Sequence, residues 1–106
     1  MHQITAKELN ERLLAGGPLP LLLDVREPHE FAYCHIDASI NMPMSQVFAG
    51  YAALDPQRET VVICHHGMRS AQIANFLLNH GFSNIINLTG GVAAWASQVD
   101  PKMRTY

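Results

Sequence analysis

The chain has 106 residues, of which 48% are hydrophobic, and its formal net charge is −2. This length suits one domain spanning residues 1–106 and is too short for a catalytic domain plus a separate substrate domain. No block of Lys or Arg is present, so the charge argues against nucleic acid or an anionic membrane as a partner.

The first 14 residues carry four charges where a secretory signal needs an apolar stretch, and no apolar run approaches the length of a membrane span. We therefore expect a soluble, cytoplasmic protein. Two cysteines do not make a disulfide framework. In a reducing compartment a thiol is buried filler, a metal ligand or a reactive group, and the surroundings of each cysteine decide between these uses.

The predicted elements begin with a helix. Thr5 and Glu8 have the spacing of a capping box, and apolar residues then recur at helical intervals until Gly16. Continuous apolar runs farther along are typical of strands covered on both faces. The pattern then predicts a strand at 19–25, a helical turn at 28–33, a polar loop at 38–44, a weaker helix at 46–54, a strand at 60–63, a helix at 70–80, a strand at 84–88, a turn at 89–91 and a short helix from residue 92.

Strands and helices alternate in this order with short connections. Such alternation implies right-handed crossovers and an α/β fold, with a mostly parallel sheet and helices on both faces. In sheets of this kind, ligands bind beyond the carboxyl ends of the strands, where the next loop meets a helix N-terminus.

Cys64 is predicted to lie at such a strand end, and the loop from His65 to Arg69 leads into the following helix. Backbone N–H groups there lack intrahelical partners and can converge on an anion, which would stabilise a nucleophilic thiolate. Arg69 opposes the helix dipole at a cost of roughly 0.3–1 kcal/mol, which indicates that an anion offsets its charge. An enclosed Cys64 side chain, or N–H groups that point elsewhere, would contradict this hypothesis.

Buried filler and zinc are the alternatives for Cys64. A cysteine that only fills space in the core would need neither Gly67 nor the polar loop that follows Cys64. Zinc would need ligands from two adjacent pairs, 34–35 and 64–65, which are geometrically awkward and lack the usual spacing. We therefore predict no metal and no dissociable cofactor. His65 and His66 are interpreted as solvated loop residues rather than general bases.

Three ordered blocks, which are LLLDVREPHEFAYCHIDASINMP, VVICHHGMRSAQIANFLLNHGF and INLTGGVAAW, together cover most of the chain. In these blocks the sequence resembles the single-domain rhodaneses, the thiosulfate sulfurtransferase family. The resemblance implies a rhodanese-like domain with a parallel sheet of about five strands. It also implies a ping-pong sulfur transfer in which Cys64 is the nucleophile and carries a persulfide.

The partners implied by this resemblance are a small anionic sulfur donor such as thiosulfate and an acceptor that is cyanide or a thiol. A protein could also serve as donor or acceptor, and neither nucleic acid nor a membrane is expected. Arg69 and protonated His65 or His66 would attract the dianionic donor. The implied substrate-binding loop comprises His65, His66, Gly67, Met68, Arg69 and Ser70.

The first block supplies residues that would support the site. Asp24 and Arg26 are interpreted as a charged pair that fixes the neighbouring loop. The other members, which would order the surroundings of the site, are Glu27, Glu30 and His35.

Cys34 stands where the family usually has Gly. We interpret it as a small residue that the loop tolerates with slight backbone strain. The alternative is that Cys34 resolves a persulfide on Cys64 into a disulfide. In the third block, Gly90 and Gly91 are expected to form a tight turn, and Trp95 to pack in the core.

Rival functions stay open. In the related phosphatase and arsenate-reductase branch five residues separate the Cys from the Arg, whereas four separate Cys64 from Arg69, which suits a single sulfur better than a phosphate. A regulatory or binding module would not need a nucleophile. A relay that takes sulfur from a protein persulfide is compatible with the same residues.

Overall fold

Strands and helices alternate along the chain in the computed structural model, which describes residues 1–106. The strands are His2–Ile4 (β1), Leu21–Asp24 (β2), Ile40–Asn41 (β3), Thr60–Ile63 (β4) and Ile85–Leu88 (β5). The helices are Ala6–Leu14 (α1), Pro28–Tyr33 (α2), Met44–Gly50 (α3), Met68–Leu78 (α4) and Gly91–Gln98 (α5), with a 3₁₀ turn at Tyr51–Ala53. None of the helices is long and apolar enough to span a bilayer.

The five strands form one sheet in the order β1-β5-β4-β2-β3, and every neighbouring pair is parallel. The prediction of a parallel α/β fold is therefore confirmed. All four residues of the central strand β4 are buried. Helices cover both of its faces, so both sets of alternating side chains enter a core, which explains why the strand is a continuous apolar run.

Two apolar clusters pack on the two faces of the sheet. Val62 of β4 packs in the first cluster with residues of α3 and α4, including Val47 and Leu77. Val61 of β4 points the other way and packs in the second cluster, which includes Trp95 of α5 as the sequence predicts. Each fully buried aliphatic side chain stabilises the fold by about 1.5–3 kcal/mol.

The sequence pattern misses the two edge strands. β1 has three residues and β3 has two, so neither is long enough to show a period of its own. Both form because a neighbouring strand offers hydrogen bonds: β1 pairs with β5, and β3 with β2. The capped helix α1 and the helical turn α2 form where they are predicted, whereas α4 begins at Met68, two residues earlier than expected.

Parallel register brings the carboxyl ends of three strands together. Asp24 at the end of β2 lies beside Ile63 at the end of β4, and β5 flanks β4 on the other side. The loops that follow these strands therefore start at one edge of the sheet, where Cys64 is the first residue after β4.

Candidate active site

Cys64 is more enclosed than the sequence pattern predicts, since only 1% of the residue is exposed. It nevertheless lines a pocket of about 210 Å³, together with His65, His66, Met68 and Arg69. Cys64 therefore lies at the base of this pocket and also belongs to the apolar cluster that contains Val62, so its side chain is almost wholly enclosed.

The loop aims one backbone donor at the thiol. Gly67 N donates to Cys64 Sγ at 3.0 Å, and Ser70 Oγ lies 3.3 Å from the same sulfur. Gly67 has φ +103, and a Cβ there would meet Gly90 N at 3.2 Å, so a glycine suits this turn. The N–H groups of Met68 and Arg69, in the first turn of α4, have no partner within the protein and can donate hydrogen bonds to an anionic ligand.

The N-terminus of α5 orients the start of the loop. Val92 N donates to Cys64 O at 2.9 Å, and Ala93 N donates to His65 O at 3.1 Å. A trans peptide places its N–H opposite its C=O, so the N–H groups of His65 and His66 point away from α5.

This approach of α5 to the loop requires Gly91. A Cβ on Gly91 would lie 2.3 Å from Cys64 O and 2.4 Å from His65 O, which is an impossible contact. Gly90 and Gly91 both have positive φ, so the predicted tight turn is confirmed.

Asn87 of β5 holds both residues that contact the thiol, and it is a residue that the sequence analysis misses. Its Oδ1 accepts from Ser70 Oγ, while its Nδ2 donates to Gly67 O at 3.2 Å and to Gln3 Oε1 at 3.0 Å. Because the single hydroxyl hydrogen of Ser70 is directed at Asn87, Cys64 can donate to Ser70 Oγ while its thiol is protonated. The only feature of the sequence that could have identified Asn87 is its polar side chain within the otherwise apolar strand β5.

Arg69 is paired with Glu30 of α2. Its Nη1 and Nη2 donate to the two carboxylate oxygens at 2.7 and 2.9 Å. Glu30 also accepts from Glu27 N and from Tyr106 OH, each at 2.9 Å. The hydrogen bonds from Arg69 are the largest of the effects that lower the pKa of Glu30, to about 2. The anion that offsets the Arg69 charge is therefore a side chain of the protein itself.

The Asp24 and Arg26 side chains form a fully buried pair. Arg26 Nη2 donates to Asp24 Oδ2 at 2.7 Å, and neither side chain is exposed. The same guanidinium donates to Cys34 O at 2.7 Å and to Tyr106 OH at 2.9 Å. The pair thus ties the end of β2 to the segment after α2, with its hydrogen bonds satisfied as buried charge requires.

His65 lies between two rings, stacked on that of Tyr106 and tilted against that of His66. Its ring lies 3.9 Å from that of Tyr106 at an interplanar angle of 9°, and 3.9 Å from that of His66. Burial, and then the charge of His66, lower the pKa of His65. The lowered pKa disfavours the imidazolium form of His65, which argues against its attracting a donor as a cation. His66 is exposed at the rim.

His35 is not brought to the site. Its Nδ1 lies 2.8 Å from Phe31 O, and its ring stacks on that of Phe31 with centroids 4.0 Å apart. It lines a different pocket, beside Trp95 and Met103. No group of three or more His, Cys, Asp or Glu side chains is arranged to hold a metal ion, so the four residues considered for zinc do not form a ligand set.

Cys34 has an extended backbone with φ −160, so the expected strain is wrong: any residue adopts this conformation. Its Sγ lies 3.9 Å from Arg26 Nη1, and it lines a separate small pocket with His65 and Tyr106. Both cysteines are free thiols. Resolution of a persulfide by Cys34 stays a prediction.

Comparison with known proteins connects this site to a family. The family model described as the Rhodanese-like domain matches residues 5–98. The Bacillus subtilis putative sulfurtransferase YtwF is 34% identical, with 96% of this chain and 97% of that protein covered. The Mycobacterium tuberculosis probable adenylyltransferase/sulfurtransferase MoeZ is 39% identical over 97% of this chain. That alignment covers only 26% of MoeZ, so the chain spans about a quarter of this longer relative.

The same relationship is seen among solved structures. The crystal structure of a rhodanese-related protein from Thermoplasma volcanium superimposes with a TM-score of 0.83 at 35% identity. The superposition covers 93% of this chain and 94% of that protein.

Proposed function

Since the chain belongs to the rhodanese family, we propose that it is a sulfurtransferase that moves a sulfane sulfur through a persulfide on Cys64. The donor would be thiosulfate or another persulfide-type compound, and the acceptor would be cyanide or a thiol. The observation that carries this proposal is the hydrogen bond from Gly67 N to Cys64 Sγ, at the base of an accessible pocket.

In the first half of the reaction, the Cys64 thiolate would attack the sulfane sulfur of the donor. A new S–S bond forms while the bond between that sulfur and the rest of the donor breaks, and the leaving group takes the bonding electron pair. With thiosulfate the leaving group is sulfite, and with a thiol-borne persulfide it is a thiolate. With thiosulfate the negative charge of the enzyme then rests on the outer sulfur of the Cys64 persulfide, whereas with a protonated thiol-borne persulfide it leaves on the carrier thiolate.

The loop supplies hydrogen bonds for that displaced charge. The outer sulfur would lie farther into the pocket than Sγ, towards the first turn of α4, where the N–H groups of Met68 and Arg69 lack partners. Preorganised backbone donors aimed at developing charge are a main source of rate acceleration in such sites. In the second half, the acceptor attacks the outer sulfur and Cys64 leaves as a thiolate, which restores the enzyme.

Intact-mass analysis tests this proposal directly. The protein is incubated separately with thiosulfate and with cysteine persulfide, then desalted and weighed. We expect a gain of one sulfur atom that is lost on addition of cyanide. Cys64→Ser should abolish the gain, whereas the matched variant Cys34→Ser should retain it. A chain that gains no sulfur from either donor, or a Cys64→Ser variant that still gains it, would show that this chain is not a Cys64 sulfurtransferase.

A further inference from the structure

Arg69 is the only lysine or arginine among the residues that line the pocket at Cys64. Its charge is matched by the carboxylate of Glu30, which it binds through both terminal nitrogens. The pair still presents N–H groups to a ligand, but it presents them with no net charge.

Glu30 is firmly held in this arrangement. Its side chain is 12% exposed, and its carboxylate accepts four hydrogen bonds, two from Arg69 and one each from Glu27 N and Tyr106 OH. These contacts fix the carboxylate beside Arg69, so the guanidinium does not turn to a ligand without breaking a two-point ion pair.

The other charged and titratable groups nearby do not replace that cation. Arg26 is buried and paired with Asp24. Arg104 lies over the ring of Tyr33, 5.7 Å from its centroid, and lines the pocket of Cys34 rather than that of Cys64. His65 lies between Tyr106 and His66, and only His66 projects from the rim as an exposed imidazole.

We propose that Glu30 determines donor specificity: by cancelling the charge of Arg69 it disfavours dianionic thiosulfate and suits the site to a persulfide carried by a thiol, R–S–SH. This inference rests on the proposed sulfur transfer through Cys64. The reaction is Cys64–S⁻ + R–S–SH → Cys64–S–SH + R–S⁻, in which an S–S bond forms between Cys64 and the terminal sulfur, the S–S bond of the donor breaks, and the carrier thiolate leaves with the electron pair.

The two donors differ in the charge that the pocket must accommodate. Attack of a thiolate on thiosulfate gathers three negative charges around one S–S bond, whereas attack on a protonated persulfide involves one. With Arg69 and Glu30 paired, the charges of these two side chains and a Cys64 thiolate sum to −1, which disfavours the approach of a dianion.

Met68 supplies a second argument for an organic carrier. Its side chain is 79% exposed and lines the same pocket. A flexible, polarisable thioether can pack against the carbon chain of a thiol-borne persulfide, whereas the sulfonate oxygens of thiosulfate gain nothing from it.

The test compares rates of Cys64 persulfidation, followed by intact mass, in wild type, Glu30→Gln and Glu59→Gln. Glu59 pairs with Arg12 at the opposite end of the sheet, so its variant removes the same charge from a remote ion pair. We expect wild type to react at least about tenfold faster with cysteine persulfide than with thiosulfate. Glu30→Gln should raise the thiosulfate rate about fivefold and change the persulfide rate less than about twofold, and Glu59→Gln should change neither.

Salt dependence provides a measurement on wild type alone. Added salt should accelerate the wild-type reaction with thiosulfate, because it screens repulsion between like charges, and should accelerate Glu30→Gln less. Persulfidated serum albumin is tested beside cysteine persulfide in order to distinguish a protein-borne donor from a free one. A rate above that with thiosulfate, for either of these two donors, supports the inference.

Three results would overturn the inference while leaving the proposed function intact. The first is a wild-type thiosulfate rate that falls with salt, and the second is a wild-type thiosulfate rate that exceeds the persulfide rate. The third is a folded Glu30→Gln variant whose preference between the two donors equals that of wild type. Failure of both donors to load Cys64 would instead remove the proposed function itself.

Discussion

The thiol of Cys64 is positioned by two residues that a third residue holds. Gly67 and Ser70 contact the sulfur, and Asn87 binds the carbonyl of the first and the hydroxyl of the second. Asn87 is 4% exposed and belongs to β5, the strand next to β4, which Cys64 follows. A rigid strand thus fixes the polar groups around a loop nucleophile, which is the arrangement that precise geometry needs.

A double-mutant cycle tests this arrangement. We expect Ser70→Ala and Asn87→Ala each to lower kcat/KM for sulfur transfer about tenfold, the equivalent of one buried hydrogen bond. Because both changes remove the hydrogen bond between Ser70 and Asn87, the double variant should lose clearly less than the product of the two single losses. Gln3→Ala, one hydrogen bond farther away, should have a smaller effect. A hundredfold loss in the double variant would show that the two residues act independently.

At this scale the sequence identifies the nucleophile and its loop but not the partners of the loop. Cys64 through Ser70 are contiguous, so a motif reveals them together. Glu30 lies 39 residues from Arg69, and Asn87 lies 17 from Ser70, so these pairs form only once the strands are arranged in the sheet. Sequence patterns suggest that an anion offsets Arg69, but they do not show that the protein supplies it.

Among the elements, α5 is the one whose position the site depends on most. Its first N–H groups bind the carbonyls of Cys64 and His65, and Gly91 allows the backbones to approach. Since those carbonyls face α5, the N–H groups of the same peptides point away from this helix. The helix therefore orients the loop without contributing a side chain to the chemistry.

Gly91→Ala tests the close approach of α5. We expect it to lower the free energy of unfolding by more than about 3 kcal/mol, because a new Cβ would overlap two carbonyl groups of the active-site loop. Gly81→Ala is the matched control: Gly81 also has positive φ, but a Cβ there meets nothing within 4 Å, so its cost should be about 1 kcal/mol.

Urea titration followed by circular dichroism measures both values. Equal destabilisation of the two variants would mean that backbone strain, which they share, accounts for the whole effect, and that contact between α5 and the loop is not critical.

Element prediction succeeds where an element carries its own signals. The capping box predicts the start of α1, and the buried run predicts β4. The edge strands β1 and β3 have too few residues to carry such signals and depend on neighbouring strands for their hydrogen bonds. The early start of α4 likewise depends on the tertiary structure. Gly67 is the N-cap of this helix, and its left-handed backbone is part of the site.

Across the whole molecule, the Glu30 carboxylate joins three distant parts of the chain. It belongs to α2, it binds Arg69 at the start of α4, and it accepts a hydrogen bond from Tyr106. Tyr106 in turn accepts from Arg26 and stacks on His65. These contacts lie over the site rather than in the apolar clusters, so their contribution to stability depends on charge and therefore on pH.

The pH dependence of unfolding measures that contribution. The contacts lower the pKa of Glu30 from 4.5 to about 2, so the folded state binds its proton less readily than the unfolded state. The resulting stabilisation is fully present above pH 4.5 and is lost as the pH falls towards 2. We expect it to amount to about 1–2 kcal/mol, since solvent partly screens a pair whose arginine is partly exposed.

Glu30→Gln isolates this contribution from those of other acidic groups, because it keeps the shape and hydrogen-bond acceptor of the side chain but does not titrate. At pH 7, wild type should therefore be more stable than the variant by about 1–2 kcal/mol. The difference should shrink as the pH approaches 2, because protonated Glu30 resembles glutamine in charge. Urea titrations at several values between pH 2 and 7 give both curves. A difference in the free energy of unfolding that stays constant across that range would mean that wild type and Glu30→Gln differ in packing rather than in the ion pair. Glu30 would then not join the three segments through its charge.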